Sequence, residues 1–329
     1  LLATACLLMT FVGISAGLWA LERWNSSGNN SAAPVALTIS PEKKQQYEQL
    51  MAMIAAVQHK TADLNAPTKT QREHIEAADA YLKEVEKKSA SGDTTAFAAA
   101  EAALQRYLVA LLARDDMVFI PERHVTIDGE KKHVPPFFID RTEVSIKEFK
   151  RFCRQVAGGW PMPERLSGNV DAYLDYPLTY AAWFDAQAYA AWCGKTLPTR
   201  EQWACAAYGR DDASELFPWG EAWKPEGANM QTQQSWEVAI YKEDRVKSGC
   251  VNMAGNVREW TRSRMAQDAD GPPDFGEEMV VCGGSFLHAS HLRDISREFF
   301  ETRKPDLGFR CVLEIDTSPA AVAAILEQL

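Results

Sequence analysis

The 329-residue sequence predicts an α+β protein in which a helical N-terminal third precedes a turn-rich, well-packed body. Three observations point there. Residues 1–21, LLATACLLMTFVGISAGLWAL, carry no charge. Residues 41–111 repeat apolar side chains with a helical period in three stretches. Beyond residue 117 short apolar runs alternate with turns, and most of the 19 Gly, 16 Pro and 10 Trp fall there. At 46% hydrophobic and 24% charged residues the chain can bury a large core, which excludes global disorder.

Taken in order, the uncharged segment is long enough, at 1.5 Å per helical residue, to cross a hydrocarbon core of about 30 Å. Residues 1–21 are therefore expected to form a transmembrane anchor, with Trp19 and Trp24 at one interface. A cleaved signal peptide is the alternative, but Leu18-Trp19-Ala20 is too bulky for a small-x-small cleavage site. Residues 22–39 read as a polar linker around NSSGNNSAAPVA.

A helical region follows over 40–116. Ser40-Pro41-Glu42 has the cap, the first-position proline and the first-turn acid of a helix start. The first apolar stripe is Tyr47, Leu50, Met51, Ile54 and Val57; the second is Ile75, Ala78, Leu82 and Val85. The third is Phe97, Ala100, Leu104, Tyr107, Leu108 and Leu111. Asn65-Ala66-Pro67 and Ser91-Gly92-Asp93 separate them, which predicts an antiparallel hairpin or small bundle. It is either a spacer or a docking surface for a partner. His59 and His74 lie among polar residues and are expected at the solvent.

MVFIPERHVTI at 117–127 reads as a strand, and the tail over 315–329 as a short terminal helix. Within the body, Asp185–Trp192 has an apolar face of Ala188, Tyr189 and Trp192, with Gly194 placed to end the helix. Thr199 then caps a second helix, and Gln202 three residues on completes a capping box. Trp203 and Trp219 are expected in the core.

The balance of 35 basic against 45 acidic residues, net −10, shows no basic stripe of the kind that binds nucleic acid. The seven cysteines, at 6, 153, 193, 205, 250, 282 and 311, match no zinc spacing. Six lie beyond the apolar segment, an even number that permits disulfides without requiring them.

Six blocks carry a resemblance: FFIDRTEVSIKEFK at 137–150, LTYAAWFDAQAYAAWCGKTLPTREQW at 178–203, FPWG at 217–220, GCVNMAGNVREW at 249–260, VVCGGSF at 280–286 and LGFRC at 307–311. In this order and spacing they resemble the formylglycine-generating enzyme family, the sulfatase-modifying-factor domain, over about 117–314. The resemblance implies a mixed α and β body, related to C-type lectin domains, with little regular secondary structure.

It also implies a reaction that this chain has lost. Active members oxidise a substrate cysteine to formylglycine with a copper-binding cysteine pair that follows an RGGS-like turn. Here the turn is Cys282-Gly283-Gly284-Ser285, and the two thiolate positions fall on His288 and Arg293. Soft Cu(I) prefers thiolates, and arginine does not replace one. No catalytic residue and no copper are expected. His288 and His291 form an HxxH that, on a helix, could share a metal ion, with Asp294 nearby. A related set of iron-dependent oxygenases carries extra histidine ligands on a helical domain; here that region offers only His59 and His74.

The resemblance further implies a structural Ca²⁺ held by side-chain oxygens of Asn252 and Glu259 and carbonyls of Gly255 and Val257, hard oxygen ligands of the kind Ca²⁺ takes. The alternative is a metal-free loop with Glu259 paired to a nearby arginine. A second family calcium site, beginning at Asn229-Met230, lacks its later acidic loop.

The expected protein is thus a catalytically inactive, single-pass binding subunit of a bacterial envelope complex. Its soluble part would lie on the periplasmic side of the inner membrane, with other envelope or membrane proteins as partners. Degenerate members resembling TagR-like periplasmic regulators fit that description. The alternatives are a divergent metal-dependent oxidase using His288 and His291, and a lectin-like ligand binder.

Overall fold

A computed structural model describes residues 41–64, 66–91, 93, 95–168, 170–208, 217–222, 224, 227–239, 246–265, 273–274 and 276–328. The expected anchor (1–21) and linker (22–39) lie outside the described residues. Among the described helices none is long and apolar enough to cross a membrane.

Seven α-helices are described: α1 (Pro41–Ala62), α2 (Lys69–Ala90), α3 (Ala96–Leu112), α4 (Ile146–Gln155), α5 (Trp183–Trp192), α6 (Arg200–Tyr208) and α7 (Pro319–Gln328). The strands are β1 (Met117–Ile120), β2 (Arg123–Ile127), β3 (Glu130–Val134), β4 (Phe137–Asp140), β5 (Arg258–Arg264), β6 (Glu278–Cys282), β7 (Ile295–Phe299), β8 (Leu307–Gly308) and β9 (Val312–Glu314). They fall into two compact units, one of the described residues up to Ala113 with 316–328, the other over Arg114–Ile315.

The first unit is helical. Its α3 packs against both α1 and α2. The three apolar stripes meet there: Leu50, Ile54 and Val57; Ala78, Leu82 and Val85; and Ala100, Leu104, Tyr107, Leu108 and Leu111 are all buried. Tyr47, Met51, Ile75 and Phe97, at the stripe margins, are half-buried. One polar group enters this apolar seam with partners: Asp79 Oδ1 accepts from the Tyr107 hydroxyl at 2.5 Å and from Gln58 Nε2 at 3.3 Å. The tail helix α7 packs on α1 and so belongs to the helical unit. His59 is exposed, whereas His74 is half-buried, and that burial lowers its imidazole pKa.

The second unit mixes short elements. The expected strand over 117–127 is two strands in different sheets, broken at Pro121, whose ring removes a ladder donor. β1 pairs antiparallel with β4, and β4 with β9. β2 and β3 form a separate hairpin. The largest sheet runs β7-β6-β5-β8, antiparallel except for the short β5–β8 pair. The helix expected from Asp185 begins at Trp183, with the Asp185 carboxylate accepting from the Ala182 N–H in its first turn. Thr199 and Gln202 exchange both capping-box bonds, at 3.1 and 2.9 Å. Gly194 follows α5 at φ 68°, where a side chain would be strained. An aromatic core of Phe149, Phe152, Tyr189 and Phe309 sits under α4 and α5, with ring centroids 5.1–6.5 Å apart. Trp203 is buried, but Trp219 is only half-buried, stacked on Phe217. All six described cysteines are free thiols.

Candidate functional site

The loop 252–257 leads into β5, and LGFR at 307–310 runs beside it. Asn252 and Asn256 hold left-handed backbone, φ 61° and 68°, which asparagine tolerates better than most residues. That geometry turns both side-chain amides inward. Asn252 Nδ2 donates to Glu143 Oε2 at 2.9 Å and to the Val238 carbonyl at 3.0 Å. Asn256 Nδ2 donates to Glu143 Oε1 at 2.9 Å. Asn256 Oδ1 in turn accepts from Asn229 Nδ2 and from the Trp236 N–H, each at 2.9 Å. Glu143, only 1% exposed, is thereby clasped between two amides. Burial pushes its carboxyl well up, against the pull of the Arg310 guanidinium, and the neighbouring Glu259 charge adds to the rise.

Glu259 and Arg310 form the centre of the site. Arg310 Nε donates to Glu259 Oε2 and Nη2 to Oε1, both at 2.7 Å, and neither residue is more than 1% exposed. Trp203 Nε1 donates to Oε2 at 2.8 Å. The remaining guanidinium donors reach the carbonyls of Asp140 and Arg141, at 3.1 Å, and of Val251, at 2.9 Å. All five N–H donors of Arg310 are therefore used, which is what a fully buried guanidinium requires.

This arrangement bears directly on the loop assigned to calcium. Asn252, Gly255, Val257 and Glu259 do lie on one buried loop and strand start. The Glu259 carboxylate, however, gives both oxygens to Arg310 and Trp203, and the Asn252 amide faces Glu143. The described arrangement thus pairs that carboxylate with protein donors. It matches the arginine-paired alternative. Among the described residues no group of three or more His, Cys, Asp and Glu side chains is arranged to hold a metal ion.

The Cys282-Gly283-Gly284-Ser285 turn packs on the same loop. A Cβ on Gly284 would meet the Ala254 carbonyl oxygen at 2.5 Å, so only glycine allows that approach. The turn delivers Ser285, fully buried, whose Oγ donates to Asp306 Oδ2 at 2.8 Å. Arg258 clasps the same carboxylate, Nε to Oδ2 at 3.0 Å and Nη2 to Oδ1 at 3.1 Å, and also reaches Glu298 at 2.8 Å. Burial alone would raise the Asp306 carboxyl; the bonds and charge of Arg258, with Ser285, outweigh it and hold the group below the usual carboxylate range.

His288 and Arg293, expected at the family's thiolate positions, have separate surroundings. His288 is 68% exposed, with Nε2 4.0 Å from Asp306 Oδ2. The Arg293 guanidinium lies 4.6 Å over the Tyr208 ring. The HxxH segment is not helical. His291 Nδ1 instead sits 3.2 Å from Asp294, and its ring meets the edge of Phe217 at 5.2 Å. The two imidazoles thus take different carboxylates. Burial pushes up the thiols of Cys250, Cys282 and Cys311, and also those of Cys153 and Cys193. Thiolate, the form that binds soft metals and attacks substrates, is disfavoured at each.

Sequence reasoning did not assign roles to Glu143, Arg258, Asp306 and Arg310. Glu143, Arg258 and Arg310 stand inside three of the six blocks, DRTEVS, GNVREW and LGFRC, and Asp306 immediately precedes the last. The signal was clearest for Arg310, a charged residue inside the otherwise apolar run LGFRC.

With the geometry in hand, comparisons place the chain. The inactive C-alpha-formylglycine-generating enzyme 2 of Bos taurus is 29% identical over 171 residues, 46% of this chain and 55% of that protein. The formylglycine-generating enzyme of Thermomonospora curvata is 30% identical over 186 residues, 47% of this chain and 61% of that one. The chain thus spans little more than half the length of these curated relatives. Among solved structures, PvdO from Pseudomonas aeruginosa has the same fold, with TM-score 0.50 and 18% identity, covering 60% of this chain and 94% of that one. The profile of the sulfatase-modifying factor enzyme 1-like domain matches residues 111–315, and the chain belongs to that family.

Proposed function

We propose that this protein is a catalytically inactive member of its family, acting as a structural or regulatory binding subunit of a bacterial envelope complex. The observation that carries the first half is the replacement of both family thiolate positions, by His288 and Arg293, beside cysteines whose burial keeps them protonated. The existence of a relative named as inactive supports it. The site's interior is filled by the Glu259–Arg310 and Asp306–Arg258 clasps, which leave a packed polar core beneath the turn. Such a body suits a rigid platform for other proteins.

The second half rests on the sequence. The uncharged residues 1–21 would hold the chain in the inner membrane, with the two units on the periplasmic side. The oxidase alternative is disfavoured because His288 and His291 turn to different carboxylates. The lectin-like alternative is disfavoured because Phe217 and Trp219 stack on each other, 5.2 Å apart and 1° from parallel, instead of lining an open groove.

The deciding experiment supplies pure protein with copper, oxygen and a cysteine-containing sulfatase-type peptide. No aldehyde is expected. Aldehyde formation that His288→Ala abolishes would overturn the proposal. Retention in membranes after carbonate washing tests the anchor, and recovery as a shortened soluble chain would show a cleaved signal instead.

A further inference from the structure

The β2–β3 hairpin carries chemistry that the site above does not use. Its turn is Asp128-Gly129, with φ 51° and 85°, the left-handed pair that a two-residue type I′ turn needs. Such a turn fixes the register: Ile127 opposite Glu130, Thr126 opposite Lys131, Val125 opposite Lys132 and His124 opposite His133. In an antiparallel ladder hydrogen-bonded and non-hydrogen-bonded pairs alternate from the closing pair. His124 and His133 therefore form a non-hydrogen-bonded pair, the kind whose side chains approach most closely. Val125, Ile127 and Val134 bury the other face, so both imidazoles are exposed.

We infer that His124 and His133 form a two-nitrogen site for a divalent transition-metal ion of the zinc class. Imidazole nitrogen suits Zn²⁺, Ni²⁺ and Cu²⁺. With a Zn–N bond of about 2.1 Å and about 1.1 Å from nitrogen to ring centre, an ion lies about 3.2 Å from each centroid. A tetrahedral angle then separates the centroids by about 5.2 Å. The observed separation is 5.3 Å, with the rings tilted at 60°. Glu122 Oε1 sits 2.8 Å from His133 Nε2. A carboxylate on one ring nitrogen fixes the ring, leaves the other nitrogen for the metal and raises its basicity.

The charged surroundings are mixed. Lys132 lies on the opposite face, 3.8 Å from Glu130. Lys131 is two positions along the exposed face and adds one repulsive charge, which Glu122 balances. Two protein nitrogens leave the other positions to water, or to a donor brought by a partner.

Isothermal titration of the untagged full chain in detergent with zinc chloride tests this. One ion should bind per chain, at least tenfold more weakly to His124→Ala and to His133→Ala. Glu122→Gln should weaken binding about 10–100-fold, the usual effect of losing an orienting carboxylate. The His288→Ala/His291→Ala variant should bind as wild type does. All these positions are exposed, so melting temperatures should not move. A wild type that binds no more zinc than the His124→Ala/His133→Ala double variant overturns the inference, as does binding lost only in the His288→Ala/His291→Ala variant.

Discussion

Replacing Arg310 by methionine keeps most of the side-chain volume and removes the charge. The structure states what is then left behind. Glu259 loses two 2.7 Å bonds and keeps only the Trp203 N–H. Three carbonyls, of Asp140, Arg141 and Val251, lose their donors. Glu143 loses the Arg310 cation that opposes its own burial. Breaking a buried pair from one side costs about 3–5 kcal/mol, because a charge stays buried without compensation. Orphaned carbonyls add to that, though non-additively. For a unit of roughly 200 residues each kcal/mol moves the melting temperature by about 2–4 °C, so a fall of about 6–20 °C is expected. Thermal melts followed by tryptophan fluorescence would read it, since Trp203 touches Glu259. The double variant Arg310→Met/Glu259→Gln should recover part of the loss, because the second change removes the stranded charge. A single variant within 3 °C of wild type, or a double variant worse than the sum of both singles, would refute the account of this site.

Three further outcomes follow from the same geometry. Chelation with EDTA should leave the melting temperature unchanged, because Arg310 and Trp203 already donate to both Glu259 oxygens; a drop that calcium restores would show that the loop holds an ion. Gly284→Ala should cost about 1–3 kcal/mol in a denaturant melt, since its Cβ meets a carbonyl 2.5 Å away, whereas Gly168→Ala, with open space, should be near neutral. Asp306 is depressed in the fold, so it contributes stability that is complete above the ordinary carboxylate pKa of about 4 and is lost as pH falls through the lower folded value. Acid melts of Asp306→Asn should accordingly lack the part of the wild-type decline below about pH 4, and an unchanged decline would sink the assignment.

The helices and their ends were legible in the sequence because they are local. An apolar stripe of period 3.6 needs no distant partner to be recognised, and Thr199 with Gln202 carries both halves of its own cap. The family blocks were legible for a related reason: a glycine such as Gly284, forced by one close approach, leaves a fixed letter in the chain. The expected loss of the thiolate pair likewise rests on two letters, His288 and Arg293.

What the sequence did not decide is who meets whom across long separations. Glu259 lies 51 residues from Arg310, and Asn252 and Asn256 lie more than 100 residues from Glu143. The one-dimensional pattern is the same whether Glu259 takes a cation or a guanidinium, because both satisfy a buried carboxylate. The choice depends on whether β5 and the LGFR segment converge, as they do here through the parallel β5–β8 pair. The break of residues 117–127 into two sheets and the return of α7 to the helical unit are of the same kind. Each is fixed by which buried surface lies free when the rest of the chain has packed, and no local propensity encodes that.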